Sequence, residues 1–231
     1  MTSKNNIELL DGERFDDLQY NGLEIIQNEN LYCFSSDAVL LCNFVKANKN
    51  DTIVDLCSGS GVVGILSQAK TNAKNLIMIE KQSAMADMCN RSIKLNNLRN
   101  AKVVCADITD AVYIVGSGKA DVVCSNPPYY LTSQKKLSGN KQIDMAKFEL
   151  EMTFETLCNV TSKILKFGGR FYTINDSCRI PELMETMRMY KLEPKKLEFI
   201  FTKANKSSTV VLIEAVKNGR RGAKVFYRKN I

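Results

Sequence analysis

Histidine is absent from all 231 residues. Its absence removes the Ser-His and Cys-His nucleophile pairs, most zinc sites and every imidazole general base. Whatever chemistry the chain performs must run on other groups, and no metal is expected. Paired cysteines are missing too. Eight cysteines lie at positions 33, 42, 57, 89, 105, 124, 158 and 178, with no C-x-x-C spacing. Several sit in apolar runs such as Val103-Val104-Cys105, where a free thiol behaves as a small hydrophobe. No apolar stretch approaches the ~18 residues of a membrane span, and the opening segment MTSKNNIELLDGERFDD lacks a secretory h-region. A disulfide framework is therefore not expected, and the reading is of a cytoplasmic protein away from the membrane. Internal repeats and low-complexity linkers are also lacking.

What is present belongs to an ordinary globular chain, 45% hydrophobic and 25% charged. Its length suits one α/β domain, with residues 1–34 as an N-terminal extension and 217–231 as a basic tail. A monomer is the default expectation. The formal net charge of +7 is uneven. Residues 1–20 carry Glu8, Asp11, Glu13, Asp16 and Asp17 against Lys4 and Arg14. The last fifteen residues carry Lys217, Arg220, Arg221, Lys224, Arg228 and Lys229 with no acid. Such an end suits a polyanionic partner or a merely solvated tail, and charge alone leaves both open.

Strand and helix patterns alternate. Short apolar strands read at Thr52–Leu56, Asn75–Glu80, Ala101–Ala106, Ala120–Cys124 and Arg170–Ile174. Helical patterns fall at 62–70, 82–97, 145–166 and from Pro181, with a helix capped by Ser36 before the first strand. This order predicts a parallel sheet covered on both faces. The last two runs, Lys196–Thr202 and Ser208–Val216, have too short a connection for a crossover and should pair antiparallel.

Two short stretches carry chemistry. The first is VDLCSGSGVVG, in which Gly59 to Gly64 satisfies G-x-G-x-x-G. That pattern serves dinucleotides and other ligands alike. Asp55, at the strand end four residues earlier, is expected to face the site, where a carboxylate repels a pyrophosphate and attracts a cationic cofactor. Glu80 and Asp107 end the next two strands and suit ribose hydroxyls and an adenine amine. The second stretch is Ser125-Asn126-Pro127-Pro128-Tyr129-Tyr130. Two prolines stiffen the backbone and offer carbonyls only. With the Asn126 oxygen and the Tyr129 ring they match a planar group bearing an NH2. Two acceptors on its two N–H bonds favour the pyramidal, nucleophilic amine without a titrating base.

Asp55-x-x-x-Gly59-x-Gly61 with Asn126-Pro127-Pro128-Tyr129 resembles a class I, Rossmann-like amino-methyltransferase. The stretches Glu13–Leu18, Ile25-Ile26-Gln27, Phe34–Leu41, Leu165–Phe171 and Val211–Gly222 resemble the bacterial tRNA(Val) adenine N6-methyltransferase family. The resemblance implies a seven-stranded, mostly parallel sheet with its last strand antiparallel. It implies S-adenosylmethionine as cofactor, S-adenosylhomocysteine as product, and tRNA as partner, methylated on N6 of the adenosine just 3′ of the anticodon. Phe34, Ser35 and Asp37 would border the methionine end of the cofactor, with Cys57, Gly59 and Gly61 at the turn. Asn126 to Tyr129 would hold the target base, with Asn126 also against the cofactor. The charge pattern, rather than the resemblance, makes Lys135, Lys136, Lys141, Arg220, Arg221 and Lys224 candidates for the RNA backbone, with Tyr130 and Lys147 beside the target base. The family's Arg-His-Glu stretch is Lys147-Phe148-Glu149 in this chain. A protein glutamine methyltransferase, a DNA adenine methyltransferase, an NAD-dependent oxidoreductase and a non-catalytic RNA-binding domain are the competing readings. The last two leave, respectively, the tetrapeptide and the glycine turn unexplained.

Overall fold

A computed structural model of the chain describes residues 3–4, 7–131, 136, 139–150, 152–201 and 207–229. Two short strands, β1 (Ser3–Lys4) and β2 (Ile7–Glu8), precede an antiparallel hairpin of β3 (Glu13–Asp17) and β4 (Glu24–Asn28). Then follow α1 (Ser36–Phe44), β5 (Thr52–Leu56), α2 (Val62–Thr71), β6 (Asn75–Glu80), α3 (Ser83–Leu95), β7 (Ala101–Cys105), α4 (Ala111–Val115) and β8 (Ala120–Ser125). The second half holds α5 (Lys141–Lys147), α6 (Phe154–Ile164), β9 (Leu165–Asp176), α7 (Ile180–Met189), β10 (Leu192–Phe201), β11 (Val210–Lys217) and β12 (Lys224–Lys229). Among the described residues no helix is long and apolar enough to cross a membrane.

The central sheet runs β12-β10-β11-β9-β8-β5-β6-β7, and only β11 is antiparallel to its neighbours. Side chains alternate between its faces, as a strand period of two requires. Ile53 enters a core with α1, α2 and α3, whereas Val54 and Leu56 enter a second core with α6 and α7. With both faces covered, β5 reads as a continuous apolar run interrupted only by Asp55.

The structure corrects several expectations. The sheet has eight strands among the described residues rather than seven, so the antiparallel strand is the penultimate one. The basic tail supplies the eighth, parallel to β10. Lys196 explains its attachment: its ammonium lies 4.6 Å from the Phe44 ring centroid and 4.9 Å from that of Phe226. Arg228 adds an ion pair to Glu198 at 2.6 Å. The expected 145–166 helix is two helices, because Phe148 leaves helical geometry to bridge Tyr130, and Thr153 starts α6 by accepting from the Thr156 amide at 3.1 Å. The cap of α1 is Ser35, one residue earlier than read, its hydroxyl accepting from the Asp37 amide. The antiparallel pairing of the last two apolar runs is as expected.

The N-terminal hairpin lies on α3. The Ile26 amide donates to Ser92 Oγ at 2.9 Å, and Glu24 exchanges two hydrogen bonds with the Asn96 side chain. Arg91 of α3 clasps Glu13 at 2.5 and 2.7 Å. This anchoring brings β4 and the segment after it over the carboxyl ends of the parallel strands.

Candidate active site

The turn after β5 needs backbone shapes that few side chains allow. Gly61 has φ +93°, and a Cβ there would lie 2.6 Å from the Cys89 sulfur. At Gly64 a Cβ would press on Met78 and Asp55, at 2.9 and 3.0 Å. The absence of side chains thus lets α2 sit directly on the sheet. Cys57 also takes a left-handed φ of +60°. Turn and strand ends enclose a cleft of about 120 Å³. Glu80 organises its floor: one carboxylate oxygen accepts from the Gly59 amide and the other from the Gln82 amide, each at 2.8 Å. Asp107 caps the next turn through Thr109 and pairs with Lys81 at 3.0 Å. Burial pushes the Glu80 carboxyl up. For Asp107, burial acts in the same direction, but the Thr109 amide and Lys81 outweigh it and hold the carboxyl below its usual range. Phe34 and Met85 supply apolar walls.

Asp55 requires correction. The sequence places its carboxylate in the site; the structure buries it to 1% exposure beneath the turn, outside the cleft lining. One oxygen accepts from the Gly64 amide at 2.8 Å, tying the helix start to the strand. The other has no hydrogen-bond partner among the described residues. Burial raises this carboxyl to about 7. Its influence on a ligand is therefore through space, and through the shape of the turn.

A second pocket of about 590 Å³ adjoins the first. Tyr32, Asn126, Ala146 and Phe148 line both. Ser125 fixes the approach, its hydroxyl donating to the Leu56 carbonyl at 2.7 Å. No described residue hydrogen-bonds the half-buried Asn126 amide. Pro128 faces the first pocket, Pro127 and Tyr129 the second. The Tyr129 ring is 7% exposed and packs edgewise on Tyr130 at 4.8 Å, which in turn meets Phe148 at 6.0 Å. The Tyr129 hydroxyl donates to Asp37 at 2.5 Å. Burial first, then the Asp37 carboxylate, drives that phenol well above its ordinary range, so the proton stays on tyrosine.

The expected residues thus separate into groups. Phe34, Cys57, Gly59, Glu80, Asp107 and Asn126 meet at the first cleft. Ser35 and Asp37, expected beside the cofactor, line the second pocket because helix α1 turns them toward Tyr129. Tyr130, Lys136 and Lys147 are there too, the Lys147 ammonium lying 5.7 Å from the Tyr32 ring centroid. Lys135 and the Lys141 side chain lie outside the described residues. Arg220, Arg221 and Lys224 are not brought to the site. β11 descends from Val210, opposite Asp176, to the far end of the sheet, and these residues follow it. They are exposed there, and Lys195 binds the Arg220 and Gly222 carbonyls at 3.0 and 2.6 Å.

Sequence reasoning missed Gln27 and Arg179. Gln27 is 1% exposed; its side chain accepts from the Phe34 amide at 2.9 Å and donates to Ser60 Oγ, linking the hairpin to the glycine turn. Arg179 donates to the Tyr129 carbonyl at 3.0 Å. Gln27 lies in the Ile25-Ile26-Gln27 stretch that carries the resemblance but had no role assigned there, and Arg179 sits in no motif with a local signal.

The first cleft fits S-adenosylmethionine better than a dinucleotide. Its walls carry two carboxylates, and the Lys81 ammonium, the basic group among the described lining residues, is already paired with Asp107. A pyrophosphate would find no free cation there, whereas a sulfonium and an ammonium meet negative charge. Backbone amides at the start of α2 suit the cofactor's own carboxylate.

Residues 33–186 match the family model described as the methyltransferase small domain. Over 202 residues the chain is 21% identical to a tRNA1(Val) (adenine(37)-N6)-methyltransferase of Flavobacteriaceae bacterium (strain 3519-10), covering 87% of this chain and 84% of that protein. It is 32% identical over 97 residues to a release factor glutamine methyltransferase of Mycoplasma mycoides, covering 42% of this chain and 34% of that one. Among solved structures, a predicted O-methyltransferase of Agrobacterium tumefaciens shares the fold with a TM-score of 0.64 at 23% identity, over 84% of this chain and 85% of that chain.

Proposed function

The chain belongs to the methyltransferase small domain family, and on that premise we propose that it methylates the exocyclic N6 amine of adenine in tRNA, at the adenosine 3′ of the anticodon of tRNA(Val). It is an S-adenosylmethionine-dependent methyltransferase. The observation that carries the substrate reading is Asn126, whose unpaired amide lines both pockets at their junction. A planar amine in the second pocket would find the Asn126 oxygen and the tetrapeptide backbone as acceptors. The cofactor supplies an electrophilic methyl group. This chain's residues orient the amine, draw its lone pair out of conjugation and exclude water. No imidazole is needed, in keeping with a chain that has none. The aromatic side chains of Tyr32, Tyr129, Tyr130 and Phe148 suit a nucleobase more than an aliphatic amide. The relative named for tRNA1(Val) supports the same reading, because its similarity extends over most of both chains. Lys136 and Lys147 would meet nearby phosphates.

A second reading, methylation of a protein glutamine amide, draws support from the release factor relative. Incubation with tritiated cofactor and, separately, bulk tRNA, duplex DNA and a release factor distinguishes them. Label is expected in tRNA, as N6-methyladenosine after digestion. Label confined to the release factor would replace the proposal with the second reading.

A further inference from the structure

Helix α5 and the Phe148 that follows it form a wall common to both pockets: Met145 faces the first, Ile143 and Lys147 the second, and Ala146 and Phe148 both. A wall shared in this way must keep its register with Asn126–Tyr129, or the amine and the methyl group will not align. Two backbone hydrogen bonds zip it there, from Tyr130 N–H to the Lys147 carbonyl and from Glu149 N–H to the Tyr130 carbonyl, each at 3.0 Å. Two bonds make a short zipper, and one buried side chain spans its end. Arg179, 4% exposed, donates from one guanidinium nitrogen to the Tyr129 carbonyl at 3.0 Å and to Glu149 Oε1 at 2.6 Å. Its remaining nitrogens bind Glu182 of α7 at 2.5 and 3.1 Å.

We propose that Arg179 is a positioning residue: it locks the Asn126–Tyr129 loop and the α5 wall to the turn between β9 and α7, so that the two pockets stay aligned. The planar fork is what the place requires, because it reaches three groups in fixed directions, whereas a lysine presents one point charge. It also gives Glu149 a role within Lys147-Phe148-Glu149, that of the acid which receives the clamp. The inference rests on Asn126–Tyr129 being the target-holding loop.

The alternative is a buried ion pair that only stabilises the fold. Three variants separate the two: Arg179→Lys, Glu149→Gln, and Glu182→Gln, which touches the same guanidinium from the rim without reaching the loop. The readouts are kcat and KM with tRNA, thermal midpoint, S-adenosylhomocysteine affinity, and hydrogen exchange at the Tyr130 and Glu149 amides of the substrate-free protein. Arg179→Lys and Glu149→Gln should lower kcat by about 10- to 100-fold, the penalty typical of a misplaced reacting group. The two amides should exchange faster. Glu182→Gln should lower the thermal midpoint and leave kcat within about twofold, since the loop contacts of Arg179 survive. Equal activity losses in Glu149→Gln and Glu182→Gln, or unchanged exchange at both amides in Glu149→Gln, would overturn the clamp. Should the unaltered protein leave tRNA unlabelled, the substrate reading fails while the exchange measurement still judges the clamp.

Discussion

The two pockets that meet at Asn126 are assembled by different means. The glycine turn and strand ends of the first lie within Cys57 to Asp107, a run of successive strand–turn–helix units. Its shape depends on backbone: glycines that let α2 approach, and amides held by Glu80 and Asp55. The second draws on residues 31–37, on the tetrapeptide and on α5. Its shape depends on side chains that tie distant segments, Tyr129 to Asp37 across 92 positions and Arg179 to Glu149 across 30. A pocket built on backbone can tolerate change at most of its side chains, provided the turn survives. One built on cross-chain ties loses stability when a single tie is cut, and loses activity where that tie sets the position of a reacting group. The cofactor cleft should therefore be robust and the target pocket brittle.

The largest expected effect tests this directly. Asn126→Ala removes an acceptor that acts on the amine chiefly in the transition state, so the loss should fall on kcat. About a thousandfold is expected, roughly 4 kcal/mol of barrier. Affinity for S-adenosylhomocysteine, measured by calorimetry, should hardly change. If affinity fell in step with rate, the two pockets would not be separable and the comparison would break.

The next effect lies under the first pocket and sharpens the claim about backbone. With burial raising its carboxyl to about 7, Asp55 is protonated in the folded protein at mildly acidic pH. A folded value above the unfolded one contributes stability in full below about pH 4, and that stability is lost as pH rises through 7. At 1.36 kcal/mol per unit the window spans roughly 2–4 kcal/mol. Asp55→Asn keeps an acceptor for the Gly64 amide and abolishes the titration. Urea unfolding at pH 4.5 and pH 8 should show this dependence flattened, with the variant at least as stable at pH 8. A variant weaker at pH 8 than at pH 4.5, relative to the unaltered chain, would mean that the ionised carboxylate is wanted there.

The same contrast explains what the sequence disclosed. The glycine turn, Glu80, Asp107 and the tetrapeptide were legible because each is a local event at a strand end, where spacing alone decides position. Asp55 was misdirected by one face: a strand residue points to either side, and the carboxylate turned inward to tie down Gly64. The break at Phe148 was invisible to periodicity, since it answers to a bridge with Tyr130. A Thr153-x-x-Thr156 cap was the available signal. β12 was hidden for a related reason. Its residues 224–228 are exposed, and its attachment draws on Lys196 and Glu198 of the neighbouring strand rather than on an apolar period of its own.

Tyr129 offers a smaller and finer test of brittleness. Tyr129→Ala removes the ring and should cost ~1–3 kcal/mol in kcat/KM with tRNA, the range for lost base stacking. Tyr129→Phe keeps the ring and loses the hydroxyl bond to Asp37, so most activity should remain while the thermal midpoint falls. Equal inactivity of the two variants would show that the hydroxyl tie, and not the ring, is what the substrate needs.

The smallest effect concerns the two basic regions, which the fold sets at opposite ends of the sheet. Lys136 and Lys147 line the second pocket, whereas Arg220 and Arg221 follow the descent of β11, a strand about 23 Å long at ~3.3 Å per residue. Each neutralised phosphate contributes about −0.7 to −0.9 to the slope of log affinity against log salt. Lys136→Ala with Lys147→Ala should therefore flatten the slope for tRNA by about 1.5 and raise KM. Arg220→Ala with Arg221→Ala should flatten it by roughly one to two, with kcat unchanged, because any phosphate they meet is remote from the amine. Filter binding across a salt series measures both. An unchanged slope in the arginine variant would leave the far end of the sheet solvated and confine RNA recognition to the pocket that the side-chain ties build.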